Sequence, residues 1–122
     1  TIYFHKNYWY FKQKIENMNA AFENIDLVKN NDSKRFELTV DGYTAFIDFK
    51  EKEKVISLIH TESPAELAGR GVATALIAKT LHYLEENQYT LVPLCPLVFA
   101  YIKKHPEWAR IVREDFKDKF KG

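Results

Sequence analysis

The sequence lacks the residues and patterns on which several common kinds of protein depend. Its 122 residues include one cysteine, Cys95, so an internal disulfide and a multi-cysteine metal site are both excluded. No run of about 18 apolar residues occurs, so no segment is long enough to span a bilayer as a helix. The formal net charge is only +1, which gives no overall attraction to nucleic acid or to an anionic membrane. We therefore expect no metal site, no nucleic-acid partner and no membrane span.

The remaining composition is that of an ordinary globular domain. The chain is 46% hydrophobic and 29% charged, and its length fits one domain with a single core. The N-terminal part lacks the apolar stretch and cleavage site of a signal peptide, and a single cysteine suits a reducing compartment. We therefore expect a cytoplasmic protein that is a monomer or a weak homodimer.

Residues 1–24 differ from the rest of the chain. They are rich in aromatic and basic residues, and the only methionine, Met18, lies among them. Two interpretations are open: an extension upstream of a start at Met18, or a short helix packed on the domain. Residues 25–122 are expected to form one domain.

The first half of that domain carries the patterns of an antiparallel sheet. Apolar and polar residues alternate over 36–40, Asp41-Gly42 is a two-residue hairpin signal, and the return strand is predicted over 43–49. A charged turn at 51–54 leads to a third strand over 55–62, which is apolar on both faces like a central strand. Three strands connected in this way form a meander.

The second half is mainly helical. Apolar residues recur with a helical period from Gly71 to Glu86, and Asn87 is expected to end this helix in the left-handed conformation. A fourth strand is predicted over 91–94, stopped by Pro96, which cannot donate to a sheet ladder. Two further helices are predicted, over 97–105 and 106–116. The order β-β-β-α-β-α indicates an α+β fold.

The segment between the third strand and the first helix carries the strongest chemical signal. Gly69 and Gly71 let the backbone bend so that successive N–H groups face one concavity, and the following helix adds its own free N–H groups and its dipole. Arg70 can add a charge-assisted hydrogen bond to a phosphate. The pattern predicts a diphosphate site, although the same glycines also suit a plain tight turn with Arg70 in solvent.

Residues 60–73 resemble the core motif of the GNAT superfamily of N-acetyltransferases, and in particular its minimal single-domain branch. Val92–Pro96 and Ala100–Trp108 resemble that branch as well, so the similarity extends over about residues 34–112. The resemblance implies a GNAT-like mixed sheet, in which a meander is followed by strand and helix units and the third and fourth strands splay apart. It also implies acetyl-coenzyme A as co-substrate and a primary amine as acceptor.

The resemblance assigns the cofactor to two adjacent segments. Amides of residues 68 to 74 would hold the pyrophosphate, and the end of the third strand would pair with the pantetheine arm. Ala68 departs from the family pattern, which has Gln or Arg there, so a side-chain contact is lost while backbone contacts remain. The expected binding residues are Ile59, His60, Thr61, Leu67, Ala68, Gly69, Arg70, Gly71, Val72, Ala73 and Thr74.

Four side chains are candidates for catalysis. Cys95, which the resembled branch places near the cofactor's thiol, could form an acetyl-cysteine intermediate or be a small buried hydrophobe, and direct transfer is the default. His60 could take the proton of the amine or bond a neighbouring carbonyl. Glu62 is a second candidate base, or an exposed carboxylate at a strand end. Tyr101 stands where relatives carry a tyrosine that protonates the thiolate, or it belongs to the core.

The first hypothesis is therefore an acetyl-coenzyme A-dependent N-acetyltransferase. An alternative is a non-catalytic module that binds acyl-coenzyme A, which the presence of four candidate catalytic groups disfavours. A third hypothesis is an interaction domain whose aromatic N-terminal segment binds a protein partner or completes a dimer.

Overall fold

A five-stranded mixed sheet is the centre of the structure, a computed structural model that describes residues 22–120. The strands follow one another across the sheet in chain order, and β1 to β4 are antiparallel while β5 runs parallel to β4. They are β1 (Val28–Asn30), β2 (Arg35–Val40), β3 (Tyr43–Lys52), β4 (Val55–Glu62) and β5 (Thr90–Pro93). The predicted α+β fold, a mixed sheet in which a meander is followed by strand and helix units, is confirmed.

Three α-helices occur among the described residues, and two of them pack on the sheet. The helix α1 contacts β2 and β3, while α2 contacts β4 and β5. Short 3-10 turns precede α1 and follow α2, at Ala65–Leu67 and Pro106–Ile111. The α-helices are α1 (Val72–Glu86), α2 (Pro96–Lys104) and α3 (Glu114–Lys117). None of the helices within residues 22–120 is long and apolar enough to cross a membrane.

The core follows from strict alternation along the strands. Successive side chains of a strand point to opposite faces, so every second residue of β2 and β3 lies against the helices. The strand residues buried in this way are Phe36, Leu38, Val40, Ala45, Ile47, Phe49, Ile56 and Leu58. The apolar stripe of α1 completes the core, chiefly with Leu76, Leu81 and Leu84.

The hairpin between β2 and β3 has the predicted two-residue turn. Val40 pairs with Tyr43, and the two residues between them both have positive φ, 52° at Asp41 and 82° at Gly42. This is the geometry that matches the right-handed twist of the flanking strands. The turn therefore holds Asp41 in a defined place at the edge of the sheet.

Several predicted element boundaries were wrong, among them the end of β3, which continues to Lys52 and so takes in half of the predicted charged turn. The helix α1 is not ended by a left-handed Asn87, whose φ is −99°; the left-handed residue is Gln88, with φ 62°. The strand β5 ends at Pro93 rather than Leu94, and Pro96 is the first residue of α2, a position that suits proline. The segment 106–116 is not one helix, because Val112 is extended and forms a bridge with Leu91 beside β5.

The first strand was not predicted at all. Only three residues of β1 pair with β2, and a segment this short shows no clear alternation. The two interpretations of residues 1–24 concern a segment that lies, up to residue 21, outside the described residues. Phe22 belongs to the core, with 2% of its surface exposed.

A polar network connects β1 to β3 and to Tyr89, the residue before β5. It lies at the end of the sheet opposite the segment between β4 and α1. The Nζ of Lys29 donates to Glu51 at 2.7 Å, and the hydroxyl of Tyr89 donates to the other oxygen of that carboxylate at 3.0 Å. The hydrogen bond from Lys29 lowers the pKa of Glu51 below its ordinary value of 4.5. Burial opposes ionisation of Lys29, but its bonds to Glu51 and Tyr89 outweigh burial and raise its pKa.

Glu51→Gln is expected to lower the free energy of unfolding by about 0.5–1 kcal/mol at pH 7, the range for a partly exposed ion pair. The pKa of Glu51 is lower in the folded protein than in the unfolded chain. Its contribution to the free energy of unfolding is therefore present above pH 4.5 and is lost as the pH falls through the lower, folded pKa. Urea unfolding at pH 7 and pH 3 measures this. The control is Glu53→Gln in the adjacent exposed turn, which should change stability little; an equal loss in both variants at pH 7 would refute the role of the network.

Candidate functional site

A β-bulge in β4 decides which side chains reach the candidate site. Phe49 pairs with Leu58 but Asp48 pairs with His60, so Ile59 is an extra residue without a partner in β3. The bulge shifts the alternation by one position. Leu58 and Thr61 therefore both face the core, although they are three residues apart.

The strands β4 and β5 part directly beside this bulge. Their ladder ends at the pair Leu58 and Pro93, and the carbonyl of Leu58 then accepts the amides of both Leu94 and Cys95, at 3.0 and 2.8 Å. The following residues of β4, 59–62, have no partner in β5. The splay expected between these two strands, the third and fourth of the sequence prediction, is present.

The glycine-rich loop lies between the end of β4 and the first turn of α1. Gly69 and Gly71 have φ of 76° and 79°, which a residue with a side chain rarely adopts. The amides of Ala68 and Arg70 are bonded within the loop, to the carbonyls of Ala65 and Leu67. Five other amides have no hydrogen-bond partner within the described part of the chain: Gly69, Gly71, Val72, Ala73 and Thr74.

The space beside the two glycines is open. A Cβ added at Gly69 or Gly71 would meet no other atom within 4 Å, so side chains do not fill the concavity there. The first-turn amides of a fifteen-residue helix and its dipole favour an anion at this end. The geometry thus fits an anion such as a diphosphate, although fewer amides are available to it than the resemblance to the GNAT superfamily implies.

Arg70, the cation of this loop, already has a partner. One of its terminal guanidinium nitrogens lies 2.9 Å from Oδ2 of Asp41 in the β2–β3 turn. Both side chains are partly exposed, at 43% and 68%. No role beyond the turn was predicted for Asp41, since nothing in the local pattern relates two residues so far apart in the chain.

Cys95 and Thr61 meet across the gap between the strands. Sγ of Cys95 lies 3.1 Å from Oγ1 of Thr61, and both residues are more than nine-tenths buried. Cys95 is the N-cap residue of α2, immediately after the turn that ends β5. The contact closes the core side of the gap, just beyond the last backbone hydrogen bond.

His60 and Glu62 lie on the opposite, exposed face of β4. Nε2 of His60 is 3.3 Å from Oε1 of Glu62, and more than half of each side chain is exposed. Their cross-strand neighbours on β3 are Asp48 and Phe46, and Asp48 accepts a hydrogen bond from Arg35 at 2.9 Å. These cross-strand neighbours could not be predicted from the sequence, because the pairing depends on the bulge.

Tyr101 stands apart from both pairs. It is half-buried on α2, and its ring packs against that of His105 at a tilt of 36°, with centroids 4.4 Å apart. Burial, with a smaller effect of the Glu107 carboxylate, raises the pKa of Tyr101. The structure thus joins His60 with Glu62 and Thr61 with Cys95, and it shows no hydrogen bond from Tyr101 to any of these four residues.

A comparison with solved structures supports the fold. The fold is similar to the NMR solution structure of a GCN5-like protein from Staphylococcus aureus, with a TM-score of 0.56 and 19% sequence identity. The similarity covers 75% of this chain and 90% of that one. At this identity the comparison shows the fold alone.

A family model matches the part of the chain that contains the candidate site. The model for GCN5-related N-acetyl-transferases matches residues 35–111, which include the meander, the loop with its unpaired amides, the splay and α2. The matched residues form most of the chain, and the site lies inside them. The chain therefore belongs to the family of GCN5-related N-acetyltransferases.

Proposed function

We propose that this protein transfers an acetyl group from acetyl-coenzyme A to a primary amine. One observation carries the proposal: five unpaired amides at the entrance of α1 lie beside a gap between two strands. Family membership supports acyl transfer as the class of reaction. We further propose that the protein works in the cytoplasm as a monomer or weak homodimer, consistent with its one cysteine being a free thiol.

The loop would hold the pyrophosphate. The amide of Gly69 and those of residues 71–74 are the available donors, since those of Ala68 and Arg70 are bonded internally. A diphosphate can accept several of these bonds at once, and each is strengthened by the negative charge of the acceptor. The helix dipole adds to the attraction.

The free edge of β4 would hold the pantetheine arm. Residues 59–62 lack a partner on the β5 side, so their backbone can pair with the amide groups of an extended ligand as with an added strand. An unpaired strand edge otherwise needs water to satisfy its polar groups. The ligand would then run from the loop into the gap.

His60 is the proposed general base. When bound, acetyl-coenzyme A supplies an activated acyl group as a thioester. His60 would take the proton of the attacking amine, and Glu62, 3.3 Å away, would orient the imidazole and balance its charge once it is protonated. Both side chains are exposed, so an amine can approach them from solvent.

The surroundings of Cys95 favour direct transfer. A base within hydrogen-bond reach would assist an acyl-enzyme route by activating the nucleophile. The thiol contacts the hydroxyl of Thr61, and His60 points to the other face of the strand. Tyr101 is the candidate acid for the leaving thiolate, because an ordinary phenol is already protonated at neutral pH and burial raises the pKa of Tyr101 further.

The loop assignment predicts the effect of one charge at Gly71. Asn and Asp both tolerate positive φ and both suit a helix N-cap, so Gly71→Asn and Gly71→Asp differ essentially in charge. Gly71→Asp is expected to weaken coenzyme A binding about 100-fold relative to Gly71→Asn, from about 3 kcal/mol of repulsion at an effective dielectric constant of 20. Calorimetric titration measures this; equal affinities would exclude the loop as the diphosphate site.

The base assignment predicts a change in turnover rather than binding. His60→Ala is expected to reduce kcat about 10²- to 10⁴-fold with the dissociation constant of coenzyme A unchanged. Glu62→Gln should also lower kcat without changing the dissociation constant of coenzyme A, but by a smaller factor. Glu53→Gln, in the distant β3–β4 turn, is the matched control. Steady-state assays over a panel of amines test this. Wild-type protein that binds coenzyme A without any turnover would support the non-catalytic binding module instead.

The direct route predicts that Cys95→Ala remains active. Turnover should stay within about tenfold of wild type, since the thiol makes no bond to the substrate in this route. Mass spectrometry of wild-type protein incubated with acetyl-coenzyme A should show no acetylated Cys95. An acetyl adduct on Cys95, together with an inactive Cys95→Ala variant of unchanged coenzyme A affinity, would establish the covalent route.

A further inference from the structure

The contact between Arg70 and Asp41 places an anion of the protein itself, the Asp41 carboxylate, beside the glycine-rich loop. Arg70 lies between the two glycines of the loop, yet its guanidinium is 2.9 Å from the Asp41 carboxylate. An exposed pair of this kind is weak and separable, because water and salt screen it. Arg70 can therefore exchange one anion for another at small cost.

Asp41 is held beside the loop by the hairpin rather than by Arg70. The β2–β3 ladder continues to the last pair, Val40 and Tyr43, which leaves only Asp41 and Gly42 in the turn. Both have positive φ, so the turn has one well-defined shape. The carboxylate thus stays near Arg70 whether or not the loop is occupied.

We propose that Asp41 competes with the bound diphosphate for Arg70 and so limits the affinity of the protein for coenzyme A. The inference rests on the proposed function, because it assumes that the loop binds a diphosphate. A diphosphate carries more negative charge than a carboxylate and attracts a guanidinium more strongly. On binding, Arg70 leaves Asp41 for the phosphates; on release, Asp41 takes it back.

The competition has a consequence for turnover. Product release limits the rate of many enzymes, and a neighbouring carboxylate that recaptures Arg70 favours departure of the product. Asp41 is therefore a residue that tunes affinity for phosphate-bearing ligands. It has no effect on a ligand that lacks phosphates.

Asp41→Asn tests the inference with the turn preserved. Asn-Gly is the preferred sequence for this hairpin, so the variant removes the charge and keeps the backbone shape; thermal melting checks this. Coenzyme A is expected to bind about two- to fivefold more tightly, the range for one exposed ion pair. Dephospho-coenzyme A, which retains the diphosphate, should show the same gain, and pantetheine, which has none, should show no gain.

Arg70→Gln provides the second half of a double-mutant cycle. In that background Asp41→Asn should leave the affinity for coenzyme A unchanged, since Arg70, the group for which the two anions compete, is absent. A gain that persists without Arg70, or one seen with pantetheine, would overturn the inference, as would unchanged or weaker binding by Asp41→Asn alone. Wild-type protein that binds no coenzyme A would instead remove the proposed function, and with it the basis of this inference.

Discussion

The arrangement of the site depends on the β-bulge at Ile59 in β4. If Ile59 were paired as a regular strand residue, the alternation that places Ile56 and Leu58 in the core would continue to His60 and Glu62. Two ionisable side chains would then face the core, which is costly unless they are paired and hydrogen-bonded. The bulge reverses this outcome: it directs Thr61 inwards and leaves the pair of His60 and Glu62 at the surface. A local irregularity of the sheet thus separates the proposed proton-transfer groups from the side chains that pack in the core.

The glycine-rich loop shows a similar division of its backbone groups. The first amides close short turns that shape the loop, whereas the later ones, from Gly71 into α1, find no acceptor within the described residues. Any helix leaves its first amides unsatisfied, but a loop with two left-handed glycines also keeps side chains away from them. The turns shape the loop, and the amides that the turns do not use are the donors available to an anion.

Features that are determined by adjacent residues could be predicted from the sequence, whereas features that depend on distant parts of the chain could not. The bounds of β4, the turn at Asp41-Gly42 and the body of α1 follow from adjacent residues, and these were predicted correctly. The strand β1, the bulge and the break at Val112 depend on pairing with distant strands, which no local pattern reveals. At the site, the loop and the candidate side chains were identified from the motif, but their grouping into two pairs on opposite faces was not. The pairing of Arg70 with Asp41 is of the same long-range kind.

The two faces of β4 give the proposed reaction a direction. On the core side, the contact of Thr61 with Cys95 closes the gap just beyond the last hydrogen bond between β4 and β5. On the other side, His60 and Glu62 are open to solvent, with Asp48 and Phe46 opposite them on β3. An acceptor amine would therefore approach a thioester in the gap from the face that carries the proposed base. Because a protonated amine is a cation, the carboxylate of Glu62 would favour its approach, whereas that of Asp48 is already paired with Arg35. The proposed base, His60, would then take the proton of the amine.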